Sequence, residues 1–81
     1  MVDVVLWGSL RPFADGQEIV SVEAATVGDV LAGLVAAHPG LKPQIDAGVS
    51  VAVDGRIISS ALGEPVRPDS EVVLMQRLKG G

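Results

Sequence analysis

The chain has 81 residues, 48% of them hydrophobic, and a formal net charge of −4 from ten acidic and six basic side chains. A chain this short makes one small domain that buries only about 60% of its unfolded surface, which leaves little for a deep catalytic cavity. It contains no cysteine, which excludes a disulfide framework, a thiolate metal site, an iron–sulfur cluster and a cysteine nucleophile.

Trp7 and Phe13 are the only aromatic residues, so the core has to be built from Val, Leu, Ile and Ala. The excess acid is spread along the chain, and no Lys/Arg stripe exists, so nucleic acid is not an expected partner. A basic partner surface is a mild expectation. The apolar runs are far too short for a membrane span. Met1-Val2-Asp3 lacks the basic region and long apolar stretch of a signal peptide. A cytoplasmic protein, monomeric when free and away from membranes, is expected.

Val2 to Gly8 is rich in β-branched residues and reads as a first strand. Ser9 to Gly16 is a long loop ending in the turn signal Asp15-Gly16. Gln17 to Glu23 suggests a second strand, antiparallel to the first. Thr26 then precedes a helical pattern of Val27, Val30, Leu31, Leu34, Val35 and His38. Thr26 and Asp29 resemble a capping box with the shorter Asp in place of Glu. Pro39-Gly40 should end the helix, with Gly40 accepting a left-handed cap.

Leu41 to Ala47 holds one short helical turn, closed by Gly48. Val49 to Val53 is a strand, Asp54-Gly55 a two-residue hairpin signal, and Arg56 to Ser59 its return. Ala61 to Pro68 is a loop, and Glu71 to Met75 is the last strand. The order is that of an α+β, ubiquitin-like β-grasp: a mixed four- to five-stranded sheet with one main helix packed on one face. The first and last strands should lie side by side in the middle. The expected division is a β-grasp domain over 1–76 and a flexible tail over 77–81 that ends in Gly80-Gly81.

Strand alternation sorts the central side chains into two faces. Val2, Val4 and Leu6, with Val72 and Leu74, form all-apolar sets that should meet the helix. Asp3, Val5 and Trp7, with Glu71, Val73 and Met75, should face solvent. Val5, Trp7, Val73 and Met75 then make an exposed apolar patch beside the tail, the kind of surface that marks a partner site.

Nothing here performs chemistry alone. His38 is the only histidine and sits at the end of the helical stripe, where a partly buried cation is favoured. No metalloprotease, hydrolase-elbow or phosphate-loop motif occurs. Asp3, Glu23 and Asp54 stand singly and read as solvated turns and strand faces. Two terminal glycines, by contrast, can thread a narrow channel, because Gly accepts almost any backbone conformation. The carboxylate of Gly81 is the one group offered in an unusual way.

Several segments carry a family resemblance across nearly the whole chain: Val5-Leu-Trp-Gly-Ser-Leu-Arg11, Ala25-Thr-Val-Gly-Asp-Val-Leu31, His38-Pro-Gly-Leu41, Val51-Ala-Val-Asp-Gly-Arg56, Pro68-Asp-Ser-Glu-Val-Val73 and Gly80-Gly81. In their order they resemble the MoaD/ThiS group of ubiquitin-like sulfur carriers, with the MoaD type, the small subunit of molybdopterin synthase, nearest. The resemblance implies a carrier that binds no cofactor and is not itself an enzyme. An E1-like adenylating partner would dock on the exposed face, thread Arg77, Leu78, Lys79 and Gly80 to its ATP, and adenylate Gly81. A sulfur donor would then displace AMP and leave a C-terminal thiocarboxylate. A molybdopterin synthase large subunit or a thiazole synthase would take the sulfur onward. Trp7 and Met75 match the family's apolar contact surface.

One segment departs from the MoaD pattern. A Pro-Pro-containing tail is usual there, whereas Gln76-Arg-Leu-Lys79 stands here and Arg-Leu-Lys-Gly-Gly is closer to the end of ubiquitin. That keeps open a protein modifier joined through Gly81 to lysines, and a non-reactive interaction module that uses only the patch.

Overall fold

The β-branched segments Val2–Leu6 (β1) and Ile19–Val22 (β2) pair antiparallel, with Val2 opposite Val22 and Val5 opposite Ile19. The computed structural model describes residues 1–58 and 62–76. Helix α1 covers Val27–Ala37 and a shorter α2 covers Lys42–Ala47. Val49–Val53 (β3), Arg56–Ile58 (β4) and Val72–Gln76 (β5) complete a five-stranded sheet in the order β2-β1-β5-β3-β4. The first and last strands are parallel neighbours at its centre. This is the β-grasp expected from the order of elements.

The alternation argument holds. Val2, Val4, Leu6, Val72 and Leu74 are fully buried, together with Val27, Val30 and Leu34 of the helix. Each such side chain contributes about 1.5–3 kcal/mol relative to leaving it in water. The core is aliphatic throughout.

Helix α1 starts as its sequence indicates, with one refinement. Thr26 Oγ1 accepts from the Asp29 N–H, but the short Asp29 side chain accepts from the Ala25 N–H, one residue before the cap. The next two free donors are met by backbone from the 62–66 segment: the Val27 N–H donates to Glu64 O at 2.9 Å and the Gly28 N–H to Leu62 O at 2.8 Å. That segment is not a plain loop, since Thr26 and Pro65 form an antiparallel bridge.

Several boundaries differ from expectation. β1 stops at Leu6 rather than Gly8, because the Leu10 N–H turns back to Trp7 O. β2 is shorter than Gln17 to Glu23, and β5 is shifted one residue along. The Ser9–Gly16 loop contains a 3-10 turn at Arg11–Ala14 that buries Leu10 and Ala14. Gly40 is not a left-handed cap; it lies in a 3-10 turn over Pro39–Leu41. Its lack of a side chain serves close packing instead, as a Cβ there would sit 3.3 Å from Phe13 O. Asp54 (φ 51°) and Gly55 (φ 82°) are both left-handed, as a type I′ hairpin turn requires. Ser59, the predicted end of β4, lies outside the described residues.

Gly33 lets α1 approach β2, for an added Cβ would lie 3.0 Å from Val22 Cβ. Ala would gain about 1 kcal/mol in helix propensity, but overpacking a stiff, buried Val costs about 1–3 kcal/mol. Gly33→Ala is therefore expected to lower Tm by about 4–8 °C, and Val22→Ala in the same chain to recover part of that loss. Thermal unfolding of the three variants checks both statements.

Candidate functional site

The open face of the sheet, opposite α1, carries the expected patch. In register, Ile19 faces Val5, Val5 lies beside Val73, Val73 faces Ala52, and Ala52 faces Ile57. One apolar row therefore crosses all five strands. Val5, Ala52 and Val73 are half-buried in the middle of the row. Ile19 (51% exposed) and Ile57 (67%) close its ends on the two edge strands.

Trp7 is 45% exposed and continues the alternation of Asp3 and Val5. The Trp7 backbone N–H donates to Leu74 O at 3.1 Å, which extends the parallel ladder and sets Trp7 next to Met75. Met75 faces Ser50 of β3 and is half-buried. Trp7 and Met75 thus form a second tier, at the end of the sheet where β5 leads into residues 77–81. Sequence-predicted Arg77, Leu78, Lys79, Gly80 and Gly81 lie outside the described residues.

The four predicted patch residues Val5, Trp7, Val73 and Met75 all fall on this one face. Ile19, Ala52 and Ile57 were missed. Their place depends on the register of β2, β3 and β4 against the central pair, which alternation within a single strand does not supply.

His38 terminates α1, with its ring mostly buried and Nδ1 3.7 Å from Asp15 Oδ2. It ties the helix end to the loop before β2, far from the patch in role. Near the β3–β4 turn a cavity of about 300 Å³ is bordered by Arg56 and Glu64, themselves 3.8 Å apart. Among the described residues no group of three His, Asp or Glu side chains is placed to hold a metal ion. No helix among them is long and apolar enough to cross a membrane. The face can bind; the described side chains offer no assembled nucleophile and base.

Comparison with known proteins gives the following. SAMP1, the small archaeal modifier protein 1 of Haloferax volcanii, is 32% identical, with 99% of this chain and 98% of that one covered at a TM-score of 0.81. A chain of the Amycolatopsis orientalis BexX/CysO complex shares the fold at 21% identity and TM-score 0.83, with both chains fully covered. The putative molybdopterin converting factor subunit 1 of Pyrococcus furiosus shares it at 24% identity and TM-score 0.79, covering 95% and 97%. No curated protein matches the chain. Residues 4–81 match the ThiS family. The chain belongs to that family of ubiquitin-like carrier proteins, as its motifs and its β-grasp indicate.

Proposed function

We propose that the protein carries sulfur on its C-terminal carboxylate for cofactor biosynthesis. An E1-like adenylating enzyme docks on the open face and draws residues 77–81 to its ATP. A Gly81 carboxylate oxygen attacks the α-phosphorus, pyrophosphate leaves, and an acyl-adenylate results. A hydrosulfide-level sulfur donor then attacks the acyl carbon, AMP departs with the bond electrons, and loss of the sulfur's proton leaves a thiocarboxylate. With a persulfide donor, a thiol then cleaves the S–S bond and is itself oxidised to a disulfide. The acyl carbon stays at the same oxidation level throughout. The carrier provides the acyl group and the recognition surface, while the partner orients the reactants and supplies catalysis. ATP is the partner's substrate, and the carrier holds no cofactor.

The observation that carries this reading is the apolar row with Trp7 and Met75 at the end where β5 runs into the Gly-Gly tail. A surface of that kind, next to a chain end built to thread, suits a partner that must hold the domain and reach past it. The complex of BexX with CysO is consistent with a family member working against a partner chain. A molybdopterin-type acceptor, reached through a synthase large subunit, is the first candidate for the sulfur, and the thiazole of thiamin the second.

Protein modification is a second reading, supported by the 32% identity to a small archaeal modifier protein and by the Arg-Leu-Lys-Gly-Gly ending. Mass spectrometry of the untagged protein from its host separates the two. An oxygen-to-sulfur increment on Gly81 is expected for the carrier. Gly-Gly remnants of this chain on lysines of other proteins are expected for the modifier. A plain carboxylate alone, after incubation with ATP, the host's activating enzyme and a sulfur donor, would leave a binding module.

A further inference from the structure

Most of the negative charge left without an Arg or Lys partner among the described residues is gathered in one place. Every described Arg and Lys lies within 4.0 Å of an acid: Arg11 with Glu18, Lys42 with Asp46, Arg56 with Glu64, and Arg67 with Asp69. Asp15 faces His38, and Asp29 caps α1. Six acids have no Arg or Lys partner among the described residues, and once Asp15 and Asp29 are set aside, Asp3, Glu23, Asp54 and Glu71 remain.

These four meet at one end of the sheet. Asp3 faces Ser21 across the β1–β2 ladder. One step back from the Val4–Val72 pair, Asp3 lies beside Glu71 on the neighbouring central strand. Asp54 adjoins Glu71, donating its N–H to Glu71 O at 2.8 Å and accepting from the Glu71 N–H at 2.9 Å. Glu23 follows β2, whose last residue Val22 faces Val2. By strand geometry this end is about 7 Å from the apolar row, two residues along the strands. It is the end opposite to the one where the tail leaves.

Like charges on adjacent strand positions disfavour the free protein, and one Lys at either position would relieve the clash. The Asp3 and Asp54 carboxylates are also held in place: Ser21 Oγ donates to Asp3 Oδ1 at 2.6 Å, and Asp54 Oδ1 takes the Glu71 N–H. A cation brought to this end by a partner would relieve that cost.

We infer that the partner docked on the open face presents an apolar ridge flanked by Arg or Lys side chains that meet Asp3 and Glu71. This rests on the reading of the face as the docking site of the adenylating enzyme. With acid at one end and the tail at the other, a docking rotated by half a turn loses the charge match. Complementary charge of this kind fixes register and speeds association more than it adds affinity. Its role is to aim residues 77–81 at the partner's active site.

The test is ATP–pyrophosphate exchange by the host's E1-like enzyme, titrated with the full-length untagged chain at low and high salt. Asp3→Asn with Glu71→Gln is expected to raise the KM for the carrier roughly tenfold at low salt and leave kcat unchanged. The wild-type KM should rise steeply with ionic strength, and that of the variant much less. Glu71→Lys should raise Tm above wild type and yet raise KM further, a pairing that a merely structural role does not produce. An active wild type whose variants keep its KM and salt slope overturns this inference alone. A wild-type chain that supports no exchange overturns the proposed function, and this inference with it.

Discussion

Deleting Gly81 is expected to cut the proposed thiocarboxylate formation by at least 100-fold while leaving Tm unchanged. The described core ends with β5 at Gln76, so the deletion removes none of its packing. What it removes is reach. Each residue of extended chain spans at most about 3.3–3.6 Å, so in the proposed reaction a tail ending at Gly80 would bring its carboxylate short of the α-phosphorus by about that distance. Displacement of a reacting atom by even 1 Å costs about 100-fold. Adenylation followed by ATP–pyrophosphate exchange reads the effect directly. Affinity for the partner, measured by titration calorimetry without ATP, should fall far less, because the open face is untouched. Equal activity of the shortened chain would mean that Gly81 is not the reacting end.

Val73→Asp is expected to weaken association with the activating enzyme at least 100-fold. Val73 is the middle of the apolar row, between Val5 on one strand and Ala52 on the other. Residues at the centre of an interface carry most of its energy, because their neighbours exclude water. A carboxylate buried there without a partner costs several kcal/mol, and each 1.4 kcal/mol is about tenfold in affinity. The fold should survive, with a Tm loss of a few degrees, as strand propensity spans only about 1 kcal/mol. Ile57→Asp makes the comparison. Ile57 is 67% exposed at the rim of the row, so its loss in affinity should be several-fold. Similar losses at both positions would show that the row is not the centre of the contact.

The features legible in the sequence were those decided by neighbours along the chain. Thr26 and the Val27–Leu34 stripe specified α1 because capping and helical spacing are local. Asp54-Gly55 specified its hairpin because only a few residue types tolerate two left-handed positions. Alternation in two strands was enough to put Val5, Trp7, Val73 and Met75 on one face. What escaped depends on chain segments that meet only in space. Leu10 and Ala14 look like loop residues until the Pro39–Leu41 turn covers that region. Gly40 looks like a helix stop until Phe13 is found against it. Ile19 and Ile57 gain meaning from register. The acids show the largest difference. Asp3, Glu23 and Asp54 read singly as solvated and Glu71 only as a solvent-facing strand residue beside Asp3's set, yet the sheet order collects all four at one end.

The sheet order also constrains how the chain is made. β1–β2 and β3–β4 are hairpins that form from nearby residues, but β5, the latest strand to be synthesised, is the one that joins them. Until it arrives, β1 and β3 each expose an unpaired edge, and the core lacks Val72 and Leu74. Non-local pairing of this kind is slow, and the open edges invite aggregation in the meantime. A chain that stops before β5 leaves the two hairpins unjoined, so the apolar row that crosses all five strands does not form.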